Sequence, residues 1–226
     1  MPPHPAKRFL NAGTLLENLQ AVDVVGEQGD SILHVVIRHP SCSKELLAKL
    51  CQIFPYHVNW HNHHGHQPMH EALMSGSPLC ISLMQVLLEN GAELDGRKKG
   101  DWTPLMVAAK KGMLGEVEFL LRRGAMTRLR NSDGFTAFQL ACICEEKEGD
   151  EVAMKLLEKD PSVSRIKAFN GRSPLFSAVR HGHVKIAKEL LKLPHEESEH
   201  GVTLLQNAEQ SGNHEMVALI ESIINN

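Results

Sequence analysis

A repeat constrains this chain more than any other feature of its sequence. A Ser, Thr or Gln positioned to open a helix recurs six times. The segments are Ser31-Ile32-Leu33-His34, Gln67-Pro68-Met69-His70, Thr103-Pro104-Leu105-Met106, Thr136-Ala137-Phe138-Gln139, Ser173-Pro174-Leu175-Phe176 and Thr203-Leu204-Leu205-Gln206. Their intervals are 36, 36, 33, 37 and 30 residues. A period of this length belongs to a stack of supersecondary units, each too small to bury its apolar face alone.

Each signature residue has a physical role. The Ser or Thr hydroxyl can accept a backbone N–H and cap the helix. Proline fits the first helical position, where its missing N–H costs nothing. A glycine stands two residues before the opening position at Gly29, Gly65, Gly134, Gly171 and Gly201. Asp101 takes that place in the third repeat and tolerates a left-handed turn better than most residues. A second helix follows, with apolar runs at Val86-Leu87-Leu88, Phe119-Leu120-Leu121, Met154-Lys155-Leu156-Leu157 and Leu190-Leu191. Gly91 and Gly124 close two of these helices, and Gly182-His183 reads as the turn within a helix pair. Two insertions, Ser75–Leu79 and the acidic Cys144–Glu151, read as surface loops between paired helices. Met216, Leu219, Ile220, Ile223 and Ile224 leave the last helix apolar on two sides, so that end is expected to meet either a further repeat or a partner.

The six colinear signatures resemble the ankyrin repeat family. That resemblance implies an all-α solenoid of helix-turn-helix repeats with β-turn fingers. It divides the chain into a flexible tail at 1–7, a helical cap at 8–26, and repeats at about 27–62, 63–98, 99–131, 132–168, 169–198 and 199–226. The cap is expected from Phe9, Leu10, Leu15, Leu16, Leu19 and Val22. The first, fourth and sixth repeats depart from the pattern, with Ile32, Ala137 and Leu204 where proline is usual.

Composition narrows the function. Aromatics are only 4% of the chain, which favours stacked helices over a β-sandwich. A net charge of −3 argues against a general polyanion binder, so direct nucleic-acid binding is not expected. No apolar run reaches the roughly 20 residues of a membrane span, and the start of the chain lacks an apolar leader core. The cysteines (Cys42, Cys51, Cys80, Cys142 and Cys144) are odd in number and include no CxxC pair. They are expected to be reduced thiols in a cytoplasmic, and also nuclear, monomer. His57, His61, His63, His64, His66 and His70 crowd one finger, yet no cysteine lies among them and no metal or cofactor is expected. Motifs of hydrolases, nucleotide-binding loops and zinc proteases are absent, so no enzyme is expected.

The finger tips carry the candidate site. From the third repeat to the fifth they hold Arg97, Lys98, Lys99, Arg128, Arg130, Arg165, Lys167 and Arg172, which with the histidine-rich tip before them make 8 of the 24 basic residues against 2 of the 27 acidic ones. This asymmetry points to a protein partner with an acidic face. Trp102 and Phe135, each one residue before a capping Thr, add the aromatic element of an interface hot spot. Lys110, Lys111 and Arg180 extend the same side. Residues 98–106 and 172–183, with Gly201-Val202-Thr203, resemble one branch of the family. That resemblance implies a partner, the catalytic region of alanyl-tRNA synthetase. It also implies a role in translational fidelity, with Lys99 as the candidate acceptor of misactivated serine. The equivalent positions in the next two fingers are Ser132 and Phe169, not lysine.

Overall fold

The structure is a computed structural model that describes residue 26, residues 28–196 and residues 198–224. The tail at 1–7 and all of the expected cap except Gly26 lie outside the described residues. The described residues form helices in pairs: α1 (Ile32–Arg38) with α2 (Lys44–Ile53), α3 (Pro68–Met74) with α4 (Cys80–Glu89), α5 (Pro104–Lys110) with α6 (Leu114–Arg122), α7 (Ala137–Ala141) with α8 (Gly149–Lys159), α9 (Pro174–Arg180) with α10 (Val184–Leu191), and α11 (Leu204–Ser211) with α12 (His214–Ile224). Short 3-10 turns follow α2 at Pro55–His57 and α8 at Pro161–Arg165. One antiparallel pair, β1 (Ser198–Glu199) with β2 (Val202–Thr203), shapes the last finger. The fold class is the all-α repeat array expected from the sequence.

Contacts gather the chain into two units, one ending at Lys99 and one beginning at Gly100. In the first, α1 packs on α3 and α2 on α4. In the second, α5, α7, α9 and α11 pack in series, and α6, α8, α10 and α12 do the same behind them. The cores are aliphatic: Leu33, Leu47, Leu50 and Leu83 in the first unit, and Leu105, Leu120, Phe138 and Ile186 in the second, are fully buried. Each such side chain contributes roughly 1.5–3 kcal/mol by leaving water.

The six opening residues are the N-caps of the six first helices. Pro68, Pro104 and Pro174 occupy the first turn, as their missing N–H allows. At four caps the side chain three residues on reaches back to the cap N–H: His34 to Ser31, His70 to Gln67, Gln139 to Thr136 and Gln206 to Thr203. Phe176 holds that place after Ser173 and has no acceptor. Glu199, from the following finger, replaces it, with its carboxylate oxygens 3.1 and 3.2 Å from the Ser173 nitrogen.

Two sequence expectations change. Gly149, Asp150 and Glu151, assigned to the acidic loop, form the first turn of α8. Carboxylates are favoured at a helix N-terminus, so the insertion ends in helix rather than loop. On α12, Met216 and Ile220 are buried while Ile223 and Ile224 are exposed, so one of its two apolar sides is already covered.

Glu199→Ala removes a charged acceptor from a partly buried N–H. It should lower unfolding stability by about 1–3 kcal/mol in urea titrations, with Glu199→Gln losing less because an amide oxygen still accepts.

Candidate functional site

Two of the fingers are built around buried asparagines. In the first unit, Asn62 Oδ1 accepts the His64 and His66 N–H groups at 3.0 and 2.9 Å, and Asn62 Nδ2 donates to Asp30 at 2.8 Å. Burial pushes the Asp30 carboxyl up, but Arg38 and Asn62 outweigh it and hold it below its usual value. Arg38 also meets Glu71 at 3.2 Å, and His66 Nδ1 lies 3.6 Å from the same carboxylate.

The histidines of this finger go separate ways. His57 stacks on Phe54 with ring centres 5.3 Å apart, and His70 serves the Gln67 cap. His61 Nε2 lies 3.2 Å from the Arg97 carbonyl oxygen. Among the described residues no three His, Cys, Asp or Glu side chains are grouped to hold a metal. The five cysteines are buried and form no disulfide, and burial pushes Cys42 and Cys51 up to about 11, which keeps them protonated. At the end of this unit Arg97 and Lys99 are exposed and Lys98 is half-buried. Lys99 runs tightly past Gly65, where an added Cβ would stand 2.7 Å from the Lys99 nitrogen.

In the second unit Asn131 repeats the design, its Oδ1 accepting the Asp133 and Phe135 N–H groups at 3.1 and 2.8 Å. Its Nδ2 is buried without a hydrogen-bond partner. Trp102 stands at the register that Asp30 fills in the first unit, and an indole offers no acceptor. Asp101 adopts the left-handed conformation expected of it, with φ 61°. Successive fingers are stitched by Ser132 N–H donating to the Gly100 carbonyl at 2.9 Å and Phe169 N–H donating to the Asp133 carbonyl at 3.1 Å.

The basic residues of these fingers divide by what they hold. Arg128 bonds Asp160 at 2.8 Å, and that carboxyl is held well below the usual range by Arg128 first, then by Ser162 and Thr127. Lys167 pairs with Glu196 at 2.6 Å. Arg130 donates to the Gly134 and Lys167 carbonyls and lies 4.4 Å over the Phe169 ring. Lys110 donates to the Ile143 carbonyl at 2.6 Å. Lys111, Arg165, Arg172 and Arg180 are exposed, and Arg180 bonds Gln210.

The aromatics differ from expectation. Trp102 and Phe135 are half-buried, not fully presented; the Trp102 indole folds back on its own turn, with Cδ1 3.3 Å from where a Gly100 Cβ would be. The presented ring is Phe169, 67% exposed. The finger holds it by its own N–H and by the guanidinium of Arg130, and Gly134 leaves room for it. A Cβ at Gly134, whose φ is 84°, would lie 2.5 Å from the Phe169 nitrogen. Sequence reasoning placed Phe169 on a finger tip but gave it no role. The available signal was an aromatic residue two before the turn glycine Gly171. Tyr56, 90% exposed on the 3-10 turn after α2, was also missed.

Comparison with known proteins agrees with this architecture. Two family models match, ankyrin repeats in many copies over residues 87–141 and ankyrin repeats in three copies over residues 144–225. The chain is 32% identical over 111 residues to the mouse ankyrin repeat and SAM domain-containing protein 6, covering 49% of this chain and 12% of that protein. It is 30% identical over 114 residues to the phosphocholine transferase AnkX of Legionella pneumophila, covering 50% and 12%. It is 31% identical over 122 residues to the mouse ankyrin repeat, SAM and basic leucine zipper domain-containing protein 1, covering 51% and 24%. The match therefore spans a quarter or less of the length of each of these relatives.

Gly134→Ala should cost about 1–3 kcal/mol from its left-handed backbone alone and should move Phe169 as well, read as a lower melting point with altered Phe169 ring resonances. Asp160→Asn should lower the melting point at pH 7. A carboxyl depressed in the folded state stabilises above its unfolded pKa of about 4 and loses that contribution as pH falls, so the gap to wild type should close in acid.

Proposed function

The chain belongs to the ankyrin repeat family, and we propose that it is a non-enzymatic scaffold binding a partner protein on the fingers and first helices of its third to fifth repeats. Ankyrin repeats support protein–protein interaction as a general role. The observation that carries the local assignment is Phe169, a large exposed ring under the Arg130 guanidinium with its N–H bonded to the neighbouring finger. An exposed aromatic beside arginine is the composition of a hot spot. The unpartnered Asn131 amide supports the same face, because Trp102 occupies a position where an acidic residue would have satisfied it. Residues that break a local rule of the fold tend to gather at functional sites. Buried, protonated thiols suit a reducing compartment, cytoplasmic or nuclear. One matched relative is named a transferase, but the match covers 12% of it, and no transfer chemistry is carried over to this chain.

A second reading rests on Lys99, which is exposed on its finger. The residues around it are similar to ankyrin repeat domain-containing protein 16, which brings alanyl-tRNA synthetase as partner and translational fidelity as role. The lysine amine would attack the carbonyl of a seryl-adenylate, AMP would leave, and an amide would form.

Affinity capture from cell extract separates these readings. Phe169→Ala should lose the partner held by wild type while keeping its melting point. If the lost protein is alanyl-tRNA synthetase, incubation with serine and ATP should add one seryl group to Lys99, and Lys99→Arg should bind without acquiring it. Equal capture by wild type and Phe169→Ala would overturn the finger-tip assignment.

A further inference from the structure

Several cations of the unit beginning at Gly100 already have carboxylate partners. Arg128 pairs with Asp160, Lys155 with Glu118 and Glu158, Lys167 with Glu196, Lys185 with Glu151, Lys188 with Glu215 and Lys192 with Glu189. Among the described residues, Lys110, Arg172 and Arg180 are some of those that do not, and they are set apart by lying together around one turn. Lys110 holds the neutral Ile143 carbonyl and Arg180 the neutral Gln210 amide, so their charges stay uncompensated.

These three cations border one strip. Arg172 lies two residues before α9 and Arg180 ends it, and the seven residues of the helix between them rise about 10 Å. Lys110, at the end of α5, and His183, at the start of α10, grip adjacent carbonyls: Lys110 Nζ that of Ile143 at 2.6 Å, His183 Nε2 that of Cys144 at 2.8 Å. This brings the end of α5 beside the turn that follows α9. His181 caps α9 in that turn. Its imidazole is pushed below its usual value by burial first, then by Lys110, His183, Arg172 and Arg180. Acidic residues lie nearby on the fourth repeat. Asp150 lies 3.8 Å from His183 Nδ1 and accepts the Ile186 N–H, while Glu146 and Glu148 lie against Gly112.

Building on the interaction face above, we propose that Arg172, Arg180, His181 and Lys110 form a docking strip for an acidic, extended segment of the partner protein. An extended chain advances about 3.3 Å per residue, so carboxylates roughly three residues apart match the two ends of α9. The guanidinium groups take carboxylates in paired hydrogen bonds. A carboxylate beside His181 favours the charged imidazole, so docking takes up a proton and tightens as pH falls through the histidine range.

The test is fluorescence anisotropy on the full chain with fluorescein-labelled octaglutamate, with octalysine and an eight-residue oligothymidylate as comparison probes. Octaglutamate should bind, octalysine should not, and binding should weaken with salt. Arg172→Ala with Arg180→Ala should weaken octaglutamate about tenfold or more with an unchanged melting point, whereas Lys159→Ala, on α8, should leave it unaltered. Wild type should bind more tightly at about pH 6 than at about pH 7.5, and His181→Ala should lose that gain. Absent octaglutamate binding, full binding by the double variant, or a pH gain that survives His181→Ala would overturn the proposal. Equal or tighter oligothymidylate binding would replace it with a nucleic-acid site. If Phe169→Ala loses its captured partner while octaglutamate ignores the arginines, the interaction face stands and its acidic chemistry falls. If octaglutamate needs the arginines while Phe169→Ala loses nothing, the strip stands and the hot spot falls.

Discussion

Within each unit, fingers leave polar backbone that a neighbouring repeat satisfies, and the stacking of the described repeats depends on those bonds. The His63, Ser132 and Phe169 N–H groups each donate to a carbonyl one finger back. Side chains cross in both directions: His34 reaches forward to the His66 carbonyl and Gln139 to that of Arg172, while Asn207 reaches back to that of Phe176. A buried group left unpaired costs about 1–3 kcal/mol, so one misplaced finger forfeits as much as a core leucine contributes. Aliphatic packing holds the helices together without direction. These hydrogen bonds set the register in which they stack.

The same constraint explains where the repeats differ. Phe176 cannot cap its helix, and Glu199 does so from the finger that follows. That moves a local interaction to a neighbour and makes the fifth repeat depend on the sixth. Trp102 abandons the acceptor position that Asp30 fills, and there the deficit stays with Asn131. One departure is compensated and the other is not. The uncompensated one lies on the finger face, where a binding residue is of use.

The fold was legible because its determinants are local. Caps, first-turn prolines, the finger glycines and the left-handed Asp101 all act within a few residues, and the structure places each of them as the sequence implied. The start of α8 was less legible, because Asp150 is held by the Ile186 N–H of the next repeat and Glu151 by Lys185. The candidate site was legible only in outline. A run of basic finger tips can be read from sequence, but which of them are spent cannot. Asp160 lies 32 residues beyond Arg128, and Glu196 lies 29 beyond Lys167. Trp102 and Phe135 draw attention through their neighbours, whereas Phe169 gains its importance from Arg130 and Gly134, one repeat away.

These intramolecular pairs bear on how a chain of net charge −3 could present a basic face. Pairing removes cations from the outer side of the fingers and from the second helices, where Arg128, Lys155, Lys185 and Lys188 meet carboxylates. Arg172, Arg180 and the end of α5 keep a local field along α9, which adds to burial in disfavouring charge on His181. Net charge governs solubility and long-range approach, and recognition is governed by the few groups left without partners.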